Sequence, residues 1–203
     1  MIDNWGLLIQ LCIFGYFFGS FPSGVIVSRH AGVDDIMSRG SGNIGATNVF
    51  RVLGAKYGAI VLVLDMLKGI IPAYLGSRYF GTLGALIVGI CVILGHNWSI
   101  FLKFKGGKGI AATAGVALVA FPKTVVISVA VFLVTIAVTK YVSLGSLLAV
   151  WVGFFYTLFT QAAVSEKILV FCLAAIVTYK HKSNIVRLIS GKELKLGDKE
   201  RKD

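Results

Sequence analysis

Residues 110–138 read IAATAGVALVAFPKTVVISVAVFLVTIAV, a stretch in which Lys123 is the only charged side chain. Read straight through, it is one tilted helix. Broken at Phe121-Pro122-Lys123, it is two short ones, because proline removes a helix hydrogen bond and clashes with the preceding turn. A helix crosses a bilayer with about 20 apolar residues, so the reading of Pro122 sets the number of crossings. The remaining apolar runs are residues 5–27, 57–75, 82–102, 142–160 and 162–179. Counting 110–121 and 124–138 separately gives seven.

Charge decides between six and seven, because Lys and Arg collect in cytoplasmic loops. With seven spans and the N-terminus outside, sixteen of the twenty Lys and Arg fall inside. They are Arg29, Arg39, Arg51 and Lys56, then Lys103, Lys105, Lys108 and Lys140, then eight in the tail from Lys180 to Lys202. Only Arg78, Lys123 and Lys167 fall outside, and Lys68 lies within a span. Merging the runs around Pro122 would put the basic tail outside. The expected fold is an all-α integral membrane protein with seven transmembrane helices and glycine-rich cytoplasmic loops, its N-terminus outside and its C-terminus cytoplasmic. The expected organisation is a membrane domain over 1–193 and a polar cytoplasmic tail over 194–203.

Composition agrees. The chain has 203 residues, 57% hydrophobic and 14% charged, against about 25% charged in soluble domains. It holds 24 glycines, which let helix backbones approach closely in lipid. The formal charge of +11 serves topology or an anionic substrate, and no aromatic-basic platform for nucleic acid is present. Cys12, Cys91 and Cys172 sit singly in apolar runs, without zinc or redox spacing. The first run is too long for a signal peptide and lacks a preceding basic region, so it reads as a retained span. Pro22 bends or breaks it, and the freed backbone groups must find partners inside the protein.

Four segments are too polar and glycine-rich to be plain connectors. The first is Ser38 to Arg51, SRGSGNIGATNVFR. Its glycines expose N–H groups, a helix is expected to start near Gly45, and such N-termini bind anions. Arg51 then adds a bidentate fork. The second is Gly95-His96-Asn97-Trp98 with Lys103 to Gly109, KFKGGKG. Glycines around Lys108 can cradle phosphate, but the nucleotide-binding P-loop pattern is not met. Lys103 and Lys105 also read as topological charge, and His96 as a structural residue. The third is Lys140 to Ser146, in which Ser143 either caps a helix or joins the site, with Ser146 on the same face. The fourth is Tyr179 to Arg187, with His181 and Asn184 three apart. Asp65 and Lys68 are also three apart, inside a span. They either pair or lend Lys68's charge to the site. No triad or acidic metal cluster is apparent, so chemistry here rests on an activated substrate, positioning and electrostatics. An organic-phosphate transporter is the rival, but the outer loops are short and plain; a basic assembly protein leaves the glycine motifs unexplained.

Ser41-Gly42-Asn43-Ile44-Gly45-Ala46-Thr47-Asn48 with Arg51, Gly95-His96-Asn97 with Lys105 to Gly109, and His181 to Arg187 together resemble the bacterial acyl-phosphate–glycerol-3-phosphate acyltransferases, the PlsY type. The likeness runs from the first span to about Glu193. It implies a seven-span enzyme of the bacterial inner membrane with its active site facing the cytoplasm. It also implies acyl transfer from acyl phosphate to glycerol 3-phosphate, releasing lysophosphatidic acid and phosphate, without acyl-CoA. No cofactor, metal or nucleic acid is implied; the partners are the two substrates and membrane lipid, with a monomer as the candidate state. By motif, His181 and Lys108 are the expected catalytic residues. Ser41, Gly42, Asn43, Arg51, Gly106, Gly107, Gly109, Ser143, Ser146 and Asn184 are expected to bind substrate. The general base is open between His181 and a substrate phosphate oxygen. His30 and Asp35 formally match the His-x4-Asp signature of another acyltransferase class, but its companion motifs are missing.

Overall fold

The computed structural model describes residues 4–198. Lys199, Arg201 and Lys202 of the charge count, and the outermost residues of both domain limits, lie outside the described residues. Among those described, every regular element is a helix, and a single isolated β-bridge joins Ser99 and Lys105. Three helical runs are long and apolar enough to cross a membrane: Trp5–His30, Ala55–Asn97 and Pro122–Thr139.

Helix α1 (Trp5–Ser20) starts where the Asn4 side chain accepts from Leu7 N at 2.9 Å. It stops before Pro22, and α2 (Ser23–His30) resumes the run. The break leaves the Phe21 carbonyl without a helical partner, and Lys68 Nζ donates to it. Lys68 also donates to Asp65 and to Ser23 Oγ, both at 2.8 Å, and Ser23 donates to Asp65 at 2.5 Å. The two intramembrane charges therefore pair and stitch the first helix break to its neighbour. Paired, hydrogen-bonded charges are the arrangement that lipid burial tolerates.

After the loop 31–45 come α3 (Ala46–Leu53) and α4 (Ala55–Asn97). Helix α4 is a hairpin: Phe80 and Gly81 leave helical geometry, Gly81 with φ +61°. The expected outer loop around 76–82 is thus a kink. The arms meet so closely that a Cβ on Gly76 would lie 2.5 Å from Gly84 O. Helix α5 (Ile110–Ala120) packs on the first arm with equal intimacy, since a Cβ on Gly115 would lie 2.2 Å from Met66 O. Small residues replace the missing hydrophobic drive between helices in lipid. Leu86, Val92, Ile93, Ala112 and Val116 form the buried centre of this packing.

Pro122 opens α6 (Pro122–Thr139), as expected of a proline at a first helical position. Helices α7 (Val142–Leu158), α8 (Val164–Lys180) and the short amphipathic α9 (Lys182–Ile189) complete the chain. Helix α6 packs on α7 and leaves most of its surface exposed.

Candidate active site

The loop 31–45 is held from within by Asn48, which is 1% exposed. Its Oδ1 accepts from Ser41 N at 2.7 Å. Its Nδ2 faces the carbonyls of Asn43 at 2.8 Å, Arg39 at 3.0 Å and Ile36 at 3.2 Å. Asn43 Oδ1 accepts from Gly45 N at 2.8 Å. One buried amide thereby shapes the glycine loop so that α3 begins at its rim, with Gly45 as N-cap. Asn48 lies within the glycine-rich motif, but its sequence neighbours assign it no role.

The second loop is built on the end of α4. Gly107 N donates to His96 O at 3.0 Å. A Cβ on Gly106 would lie 2.3 Å from His96 O, and one on Gly107 2.1 Å from His96 Nε2. These glycines therefore let the loop lie flat on His96, while Gly109, with φ +79°, starts α5. Lys180 donates to Asn97 O at 2.7 Å, tying the loop's base to α8.

A polar cavity of about 150 Å³ opens where these pieces meet. Ser41, Asn43, Arg51, Lys108, Gly109, Ser143, Ser146, His181 and Asn184 all line it. Four segments far apart in sequence converge. Gly42, Gly106 and Gly107 are not in its wall, and Lys103 and Lys105 are exposed away from it. His30 and Asp35 are exposed as well; Asp35 accepts from Met37 N at 2.9 Å and so holds a turn. Ser143 does not cap α7, whose N-cap is Tyr141.

Ser143 instead donates to Glu193 at 2.7 Å, a residue that the sequence reading had noted only as the end of the family likeness. Glu193 also accepts from Asn184 Nδ2 at 2.6 Å and Arg187 Nε at 2.7 Å. Its carboxylate joins α7, α9 and the following chain at the cavity wall. Burial pushes its pKa up, but the bonds from Ser143, Asn184 and Arg187 outweigh this and hold it below the usual value. One acid among several in a mixed-charge tail carries no local sequence signal; only the family boundary at Glu193 pointed near it.

Three cations, Arg51, Lys108 and Arg187, and two carboxylates, Asp65 and Glu193, line the cavity. Burial pushes the Lys108 ammonium down to about 8; Glu193 opposes this, and Arg187 and Arg51 add to it. Burial also holds His181 at about 4, opposed by its bond to Val177 O and reinforced by Lys108. His181 is therefore a neutral imidazole near pH 7. Its Nδ1–H donates to Val177 O at 2.8 Å, which leaves Nε2 as an acceptor. Arg51 Nε and Asn184 Oδ1 are buried without a hydrogen-bond partner among the described residues. Native proteins satisfy nearly all such atoms, so these two are poised for a ligand. Asp65 and His96 form the cavity floor, with His96 Nδ1 3.8 Å from Asp65.

A second cavity of about 320 Å³ continues from the first between α4, α5, α6, α7 and α8. Leu62, Ile110, Ala111, Phe132 and Ser146 belong to both walls. Its lining is almost wholly apolar. The arrangement accepts a molecule with an anionic head and a long apolar tail.

Residues 9–191 match the family model described as glycerol-3-phosphate acyltransferase. The chain belongs to the glycerol-3-phosphate acyltransferase family. A family member from Thermoanaerobacter pseudethanolicus is 44% identical over 194 residues, covering 94% of this chain and 96% of its own. One from Finegoldia magna is 42% identical over 195 residues, covering 96% and 98%. The fold matches the crystal structure of PlsY (YgiH), an integral membrane glycerol 3-phosphate acyltransferase in its glycerol 3-phosphate form. The TM-score is 0.91 at 38% identity, over 95% of this chain and 96% of that one. The lysophosphatidic acid form of the same protein matches at 0.89. The protein is thus an acyltransferase of phospholipid biosynthesis on an integral membrane fold.

Proposed function

We propose that this family member takes its acyl group from acyl phosphate and passes it to glycerol 3-phosphate. The observation that carries the reading is the shared wall between a polar cavity that holds Arg51, Lys108 and Arg187 and an apolar one. A lipid-tailed phosphate fits across that junction, with its acyl carbonyl at the boundary. Lys108, set among the N–H groups at the start of α5, takes the donor phosphate and stabilises its departure. Arg51 and Asn184 take the acceptor phosphate through the atoms they hold unpartnered. Ser41, Asn43, Ser143 and Ser146 complete the polar wall, and the glycines at 42, 106, 107 and 109 shape it.

His181 Nε2 accepts a hydrogen bond from the acceptor hydroxyl and aims it at the carbonyl. The hydroxyl oxygen forms the new ester bond, the bond from acyl carbon to phosphate oxygen breaks, and phosphate leaves. A group at about 4 is a weak base near pH 7. The two incoming phosphate charges raise its affinity for the proton, and an oxygen of the departing phosphate is the other destination for it. Two anions held side by side among Arg51, Lys108 and Arg187 gain from positioning and from charge fixed in advance.

In this proposal the chain crosses the membrane seven times: α1 with α2, each arm of α4, then α5, α6, α7 and α8. The N-terminus is outside, the membrane is the bacterial inner membrane, and the cavity faces the cytoplasm. The concentration of Lys and Arg on the cavity side supports this orientation. Residues 1–193 form the catalytic unit and 194–203 its cytoplasmic tail, whose first residue, Leu194, reaches the cavity wall. The unit acts as a monomer without cofactor.

The test is donor choice. Purified protein given palmitoyl phosphate and glycerol 3-phosphate without CoA should yield lysophosphatidic acid and phosphate in equal amounts. Product from palmitoyl-CoA alone would overturn the donor assignment.

A further inference from the structure

The apolar cavity has an open end and a closed one. Near the polar site its walls include Leu62 and Leu133, which are 44% and 58% exposed. At the far end they include Thr124, Thr157 and Leu173, exposed 6%, 0% and 4%. Helix register fixes this order. Ser146, in both walls, stands eleven residues before Thr157 on α7. Ile110, also in both, stands eleven before Phe121 on the α5 side. Helix α6 runs back between them, with Thr124 deep and Phe132 at the junction.

We propose that Phe121, Thr124 and Thr157 form a stop that sets the longest acyl chain this enzyme accepts. The proposal rests on the acyl-phosphate reading above. Eleven helical residues rise ~16 Å. An extended hydrocarbon advances ~1.25 Å per carbon, from a carbon–carbon bond of ~1.5 Å at a near-tetrahedral angle. With the carbonyl carbon at the junction, the groove therefore holds a chain of about 14 carbons. A tail leaving the bilayer gains little from an apolar groove, since lipid is as apolar as leucine. Selection therefore acts by excluding excess length, and each added methylene short of the stop changes little. Ala117 lies one turn before Phe121 and seven residues from Ile110. A phenylalanine there would block the groove ~10 Å from the junction, leaving room for about 8 carbons.

The experiment measures kcat/KM for saturated acyl phosphates of 8, 12, 16 and 20 carbons, at equal mole fraction in the same micelles, with the full chain. The wild type should fall at least about tenfold between 12 and 20 carbons, the scale of an overpacked core. Ala117→Phe should raise the ratio of 8-carbon to 16-carbon activity at least about tenfold. Phe121→Ala should raise the ratio of 20-carbon to 16-carbon activity, and it decides the matter if Ala117→Phe does not fold. A wild-type profile in Phe121→Ala, or a parallel fall at every length in Ala117→Phe, overturns the stop while the donor reading stands. A wild type that uses none of the acyl phosphates overturns the donor reading and the stop with it.

Discussion

Lys108 titrates within an accessible pH range, and its charge is predicted to control activity and stability in opposite directions. In the unfolded chain its ammonium releases a proton near 10.5; in the substrate-free fold burial brings this down to about 8. Between those values the unfolded state binds more protons, so stability rises with pH across that window. The difference of about 2.5 units corresponds to about 3 kcal/mol, the cost of keeping the ammonium charged in a cavity that already holds Arg51 and Arg187. Activity runs the other way, because a neutral Lys108 cannot hold the donor phosphate. Phosphate monoesters are already doubly charged above pH 7, with a second pKa of about 6, so the substrates do not titrate there. Since the shift belongs to the free enzyme, the effect lies in kcat/KM. By pH 9.5 only about one thirtieth of the enzyme keeps the charge, so kcat/KM should fall roughly 30-fold from its value below pH 8. The assay is lysophosphatidic acid formation from pH 6.5 to 9.5, with thermal unfolding over the same range. In Lys108→Arg, whose guanidinium stays charged, the alkaline limb should disappear. A wild-type profile flat to pH 9.5, or an unchanged limb in Lys108→Arg, would refute the reasoning. Lys108→Ala should lose about 10²-fold or more in kcat.

Glu193→Gln keeps the acceptor for Ser143 and Asn184 but turns an amide toward Arg187 Nε. The loss of that charged bond should destabilise the protein by about 2 kcal/mol, read as a lowered unfolding temperature, together with a rise in KM for glycerol 3-phosphate. His181→Gln should abolish turnover in calorimetric samples that still bind glycerol 3-phosphate; near-normal turnover would remove the histidine from the mechanism. Gly107→Ala places a methyl group 2.1 Å from His96 Nε2, so the loop must lift. It should lose at least about tenfold in kcat/KM, while Gly32→Ala, whose Cβ meets nothing within 4 Å, should affect stability through its positive φ and leave the kinetics alone.

Much of the architecture was legible because lipid imposes a simple rule on sequence. Pro122 read as a break and opens α6; Pro22 read as a bend and separates α1 from α2. The reversal expected as a loop near 76–82 proved to be a kink, since Gly76 and Gly84 let the helical arms touch where any side chain would hold them apart. Of the twelve residues singled out from local clusters of glycine, serine, asparagine and cations, nine line one cavity. What escaped were contacts between segments. Asn48 shapes its loop through bonds reaching back to Ile36, and Ser143 reaches fifty residues on to Glu193. Neither partner is marked by its own neighbours. Gly106 and Gly107, read as a phosphate cradle, lie against His96, a pairing that only the fold reveals.

Two phosphate-bearing molecules are predicted to sit together at the junction of the polar and apolar cavities. A crystal structure with glycerol 3-phosphate and a non-transferable alkyl acylphosphonate tests it directly. Both phosphorus atoms should lie among Arg51, Lys108 and Asn184, with the alkyl chain running between α5 and α7 toward Thr157. A chain lying instead along the exposed face of α6, or phosphates bound on opposite sides of the membrane, would contradict it.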